Sequence, residues 1–149
     1  MSGLYLFARV AGTDIAIRTE EIEAVVRLSE LSPVPVVPGH VAGLAALRSR
    51  VLTVIDAAAQ ISGTPPRKIE AGSEENYAVV CDVSGHSYGI LIDRVEDIRS
   101  VTTPVMPICG KLSSAWKPYA LGVVEEEGRP YFLLSLPIFL DHGLHIQAA

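Results

Sequence analysis

Leu4 to Val10 is dense in strand-forming residues, and Ala11-Gly12-Thr13 separates it from a second run, Asp14 to Arg18. In that second run Ile15, Ile17 and Thr19 recur at every second position, the spacing of a strand buried on one face. A glycine able to take positive φ between two such runs predicts a hairpin. Glu20 to Leu28 fits two patterns. Ile22, Val25 and Val26 fall on one face of a helix, whereas the β-branched content favours a strand opened by a helical turn.

Further along, Ser32 to Gly39 holds three prolines and is excluded from a central strand or a helix interior. It is expected to be an extended connector, with His40 to Gly43 forming at most a short helical turn. Ala45–Leu47 and Val51–Ile55 then predict a hairpin about Arg48-Ser49-Arg50, and Ala57–Ile61 a short helix closed by Ser62-Gly63. Thr64 to Glu75 mixes Pro, Gly and charge without periodicity and predicts an exposed linker. Five more strands are expected at Tyr77–Val83, Ser87–Ile92, Val95–Val101, Leu121–Glu125 and Tyr131–Leu136. Thr103 to Lys117 reads as irregular, Leu136 to Leu140 as a docking helical turn, and His142 to Ala149 as a loose tail.

The same plan occurs twice. Gly12-Thr-Asp-Ile-Ala-Ile-Arg-Thr-Glu-Glu-Ile-Glu-Ala-Val25 is echoed 73 positions on by Gly85-His-Ser-Tyr-Gly-Ile-Leu-Ile-Asp-Arg-Val-Glu-Asp-Ile98. Gly43…Ser49-Arg50…Asp56 is echoed 79 positions on by Gly122…Gly128-Arg129…Ser135. Two copies of one supersecondary unit predict a single domain of two sister lobes, the first about 4–61 and the second about 77–140. The stretch 62–76 joins them and 141–149 forms the tail. Short strands linked by hairpins favour two small barrels over a βαβ architecture. A groove between sister lobes is a natural docking place.

Composition agrees with a packed globule. The 149 residues are 49% hydrophobic and 6% aromatic, so the core is expected to consist mainly of Val, Leu, Ile and Ala. A net charge of −5 without a basic cluster argues against nucleic acid or an anionic membrane surface as partner. No stretch approaches the roughly 20 apolar residues of a membrane-spanning helix. Met1-Ser-Gly lacks the basic start of an export signal, and Cys81 and Cys109 are most simply reduced thiols, so a cytoplasmic protein is expected.

Reactive chemistry finds little support. Neither a dinucleotide fingerprint nor a phosphate loop occurs, and no glycine-flanked serine elbow is present. His142-x-x-His145 lacks a full ligand set for a metal. Asp56 and Asp93 each end an apolar strand, where capping of the next turn is a better reading than a carboxylate pair. An enzyme using His40, Asp56 or Cys109 would need a base or metal that no motif supplies. Arg48, at a hairpin tip, is either a solvated turn residue or an interface anchor, since its planar fork makes several hydrogen bonds.

In order and spacing, Asp14-Ile-Ala-Ile-Arg, Ile22-Glu-Ala-Val25, Leu31-Ser-Pro-Val-Pro35, Pro38-Gly-His-Val-Ala-Gly43, Ala46-Leu-Arg-Ser49 and Val51-Leu-Thr-Val-Ile-Asp56 resemble the CheW-like chemotaxis adaptor family. Tyr88 to Ile98, Leu121-Gly122 and Tyr131 to Leu136 continue the resemblance. It implies an all-β fold of two small five-stranded, SH3-like barrels around a shared core. It also implies a non-enzymatic adaptor, without cofactor or metal, that links chemoreceptors to the regulatory domain of a CheA-type histidine kinase. Through the resemblance, Ile22, Val25, Arg48, Val95 and Ile98 are expected to face receptor helices, and Gly43, Leu47 and Ser49 the kinase. The expected location is the cytoplasm, at membrane-attached receptor arrays. The family's usual Asn-Leu-Arg-Gly is Ala46-Leu-Arg-Ser49 here, and Ala24 and His40 replace a frequent glutamate and aromatic. Those departures keep open a divergent paralogue that serves another histidine-kinase pathway, such as surface motility or stress signalling, or competes with the main adaptor.

Overall fold

A computed structural model of the chain describes residues 3–28, 31, 41–47, 50–63, 65–66, 76–108, 116 and 118–140, with the side chain of Leu47 excluded. Among the described residues ten strands are present: β1 (Gly3–Val10), β2 (Thr13–Arg18), β3 (Ala24–Arg27), β4 (Val41–Leu47), β5 (Arg50–Asp56), β6 (Tyr77–Val83), β7 (His86–Ile92), β8 (Arg94–Val101), β9 (Ala120–Glu126) and β10 (Arg129–Leu134). A 3-10 turn at Thr19–Glu21 precedes β3, so the Glu20–Leu28 ambiguity resolves as a strand opened by a helical turn. Helix α1 is Ala57–Ser62, and a second helical stretch covers 136–140. The proline-rich connector, the tail, and most of the linker lie outside the described residues.

The strands form two five-stranded sheets, ordered β8-β1-β2-β10-β9 and β3-β6-β7-β5-β4. This is the all-β, two-barrel class expected. The two copies do not, however, each close a sheet of their own. The β1–β2 hairpin of the first copy joins β8, β9 and β10 of the second, and β6–β7 of the second joins β3, β4 and β5 of the first. The reason lies at two redirections. The turn at Thr19–Glu21 and the bend at Asp93 each end a hairpin and send the following strand to the opposite sheet, where β3 pairs with β6 and β8 with β1.

The exchange is reciprocal down to the register. Val25 lies opposite Val79 as Ile98 lies opposite Leu6, and Thr53 opposite Tyr88 as Phe132 lies opposite Ile15. Both outer hairpins carry the same irregularity, at Val41/Gly43 and at Leu133/Leu134 opposite Gly122. Gly43 sits there at φ 154°, backbone that favours glycine. The bulge also explains a mistaken expectation. Against the expectation of at most a helical turn over His40–Gly43, β4 starts at Val41 and passes through the weak strand formers Ala42 and Gly43 because β5 pairs with it.

Alternation of side chains builds three cores from these strands. Leu6, Ala8, Val10, Ile15 and Ile17 of one sheet meet Ile55, Val79, Cys81, Tyr88, Ile90 and Ile92 of the other. The intervening Tyr5, Phe7, Ala16, Val124, Tyr131 and Leu133 fill one barrel. Leu52, Val54, Ala78, Val80 and Leu91 fill the other. Strands buried on both faces read as continuous apolar runs, and so β2, expected to be half-buried, also buries Ala16. Leu136, Phe139 and Leu140 seal the shared core, as expected of a docking helical turn.

Candidate functional site

Four of the predicted receptor-facing residues occupy matched positions. Ile22 and Val25 flank the start of β3, an edge strand; Val95 and Ile98, 73 positions on, lie on the edge strand β8. Ile22, Val25 and Val95 are half-buried and pack on the rim of the shared core. Ile98 is exposed at 53% although its register partner Leu6 is fully buried, which leaves an apolar side chain at the border of the core face. Val95 and Ile98, three residues apart, reach this face together because β8 is irregular between its partners Phe7 and Ala8.

An open concavity of about 480 Å³ lies along this rim, lined by Tyr77, Asp93, Arg94 and Val95. Tyr77 begins β6, beside β3, so residues of both sheets border one groove. Arg27 stacks 5.5 Å from the Tyr77 ring centroid and donates from Nη2 to the Tyr77 hydroxyl at 3.3 Å. Cationic and anionic groups thus stand in this concavity beside Val95 of the apolar rim.

Arg48 and Ser49 lie outside the described residues, as does the side chain of Leu47. Gly43 is buried at its bulge. Near that hairpin Arg50, which no motif singles out, makes the densest set of polar contacts described. Its Nη2 donates to Glu23 Oε1 at 2.8 Å, and its Nη1 to Asp82 Oδ1 at 3.4 Å and to Ser87 Oγ at 3.4 Å. Arg129, its counterpart 79 positions on, donates to Asp14 Oδ2 at 2.9 Å and approaches Glu96 Oε1 to 3.8 Å. The repeat itself could have found this pair, since Arg50 and Arg129 recur together with Glu23 and Glu96.

Of the residues weighed for reactive chemistry, Asp56 and Asp93 hold parts of the fold together. Asp56 Oδ1 accepts from the Ala58 amide at 3.1 Å and caps α1, as expected. Asp93 Oδ2 accepts from the Ala11 amide at 2.8 Å, capping a turn of the other copy. Cys81 is buried in the shared core, where burial, and next the charge of Asp82, push its thiol up to about 12. Such a thiol is a poor nucleophile at neutral pH. Among the described residues no three His, Cys, Asp or Glu side chains cluster to hold a metal ion. His40, Cys109, His142 and His145 lie outside them.

Interleaved five-stranded lobes with an apolar rim between them define a small β-barrel docking scaffold. The CheW-like domain pattern matches residues 4–143, and the chain belongs to the CheW-like family. Its role is accordingly that of a chemotaxis adaptor. It is 26% identical over 129 residues to the chemotaxis protein CheW of Rhizobium meliloti (strain 1021), an alignment covering 86% of this chain and 81% of that protein. The fold is similar to the crystal structure of the scaffolding protein TtCheW from Thermoanaerobacter tengcongensis. There the TM-score is 0.77 at 14% identity, over 93% of this chain and 88% of the other.

Proposed function

We propose that this chain is a non-catalytic cytoplasmic scaffold that couples chemoreceptors to a CheA-type histidine kinase at receptor arrays. Ile22, Val25, Val95 and Ile98 take the apolar face of a receptor's helical hairpin, and Arg48 binds polar groups at its border. The Gly43–Ser49 segment, with Gly43, Leu47 and Ser49, contributes to the kinase contact. The observation that carries this reading is the duplicated rim: two edge strands from two sheets each present a pair of apolar residues at the border of one shared core. A helix laid in such a trough buries side chains at i, i+3, i+4 and i+7.

The kinase assignment draws support from β4 being the last strand of its sheet, and from Val51, which is 63% exposed opposite Ala46 near the hairpin tip. An edge strand beside exposed apolar residues suits pairing with another β domain. The test is a pair of titrations with a soluble receptor-tip hairpin and a CheA regulatory domain. Val25→Asp is expected to abolish the first complex and spare the second. Loss of neither, or of both with the fold retained, would refute the division of surfaces.

A further inference from the structure

We infer that Arg50 and Arg129 are a matched pair of positioning residues, each holding in place one of the two edge strands that, with Ile22 just ahead of β3, supply the apolar rim. The inference rests on the groove reading above and deepens it. Glu23 sits between Ile22 and Val25, and Glu96 between Val95 and Ile98. Each glutamate therefore interrupts the apolar rim at the same place in its copy, and each is met by the arginine that opens the second strand of an outer hairpin. Arg50 of β5 reaches Glu23 at 2.8 Å and Arg129 of β10 reaches Glu96 at 3.8 Å.

The remaining partners tie each arginine to the hairpin contributed by the other copy. Arg50 also meets Asp82 and Ser87 of β6–β7, and the Ser87 hydroxyl donates to Asp82 Oδ1 at 2.7 Å. Arg129 meets Asp14 of β2, which Arg9 of β1 approaches to 3.6 Å. Arg9 and Asp14 are the counterparts of Asp82 and Ser87, so the two networks occupy matched positions, with Arg50 reaching Asp82, Ser87 and Glu23 and Arg129 reaching Asp14 and Glu96. Tyr131 adds a bond of 3.2 Å to Glu96 Oε2 in the second lobe.

Strand β3 has four residues and, among the described strands, one neighbour, β6. The Glu23 amide donates to Val80 O at 2.7 Å, anchoring the main chain on that side. Arg50 supplies a side-chain anchor from β5, two strands beyond β6. An edge so short frays readily, and fixing it spares a helix the cost of ordering it on binding. The eight-residue β8 needs its clasp less, consistent with the longer Arg129–Glu96 separation.

The test uses the full chain and a soluble receptor-tip hairpin, with amide hydrogen exchange read in parallel. Arg50→Gln is expected to weaken the complex about three- to fivefold, the scale of a partly exposed ion-pair network, and to speed exchange across Ala24–Arg27 while β8 is unchanged. Arg129→Gln is expected to do the reverse at β8 with a smaller loss of binding. Glu23→Gln should reproduce Arg50→Gln, and the double variant should lose no more than the worse single one. Val25→Asp separates the two ideas. If it abolishes binding while Arg50→Gln and Glu23→Gln stay within twofold of the native protein, or the two losses simply add, the positioning role is overturned and the groove stands. If Val25→Asp binds normally, both are overturned.

Discussion

Gly122 and Gly89 show how differently two buried glycines are constrained. A Cβ on Gly122 would lie 2.7 Å from Met106 O and 2.7 Å from Val105 Cγ1, because the segment carrying Met106 pairs across β9 at Val123. Main chain cannot retreat as a flexible side chain can, so Gly122→Ala is expected to cost about 1–3 kcal/mol by denaturant melts. On Gly89 the added methyl meets Leu52 Cδ1 at 3.5 Å and Val54 Cγ2 at 3.6 Å, ordinary contact, and the counterpart in the first copy is already Ala16. Gly89→Ala is expected to stay within about 0.5 kcal/mol of the native protein. Cys81 makes a prediction in pH. Its folded thiol is raised from 9.0 to about 12, so the unfolded chain ionises first and the neutral buried form stabilises the fold below pH 9. That contribution fades as pH climbs from about 9 toward 12. Stability measured across this window should fall less steeply in Cys81→Ala; an unchanged slope would remove the thiol from the account.

Helix α1 is held at both ends by local chemistry that the sequence displays. The Asp56 carboxylate accepts the Ala58 amide, and Gly63 takes left-handed backbone at φ 72° where its amide donates to Ala59 O. Asp56→Ala is expected to cost about 1 kcal/mol, and Asp56→Asn less, in thermal or urea melts. Hairpins with a glycine at positive φ, namely Gly12 and Gly85, were equally legible because the turn needs that residue type. Strand β4 was not, since pairing with β5 and a bulge at Gly43 decide its course against local propensity. The β3 edge was legible only as an alternative, its four residues being too few for periodicity to settle. Ile22, Val25, Val95 and Ile98 could be singled out as apolar. Their common rim could not, because it depends on which sheet each edge strand joins. The contacts of Arg50 were not legible locally, since its carboxylate partners are 27 and 32 residues away; the recurrence of Arg50 and Glu23 as Arg129 and Glu96 was the signal for them.

At the scale of the molecule, duplication and exchange together explain the two-lobed form. The repeat was plain in the sequence, yet it does not say whether a copy folds on itself or trades strands with its sister. Here the trade puts Leu6 and Ile17 of one copy against Val79 and Ile90 of the other in a core neither half can complete. Fragments 1–66 and 67–149 are therefore expected to lack cooperative unfolding when separate, and to regain native circular dichroism when mixed; a stably folded single fragment would contradict the interleaving. The same exchange brings β3 and β8 to the border of the shared core and so creates the groove on which the adaptor reading depends. Mapping amide shifts of the full chain while a receptor-tip hairpin is titrated in tests that reading most directly. Shifts concentrated at Ile22–Arg27, Tyr77 and Val95–Ile98 are expected, whereas saturation with those residues unmoved would contradict it.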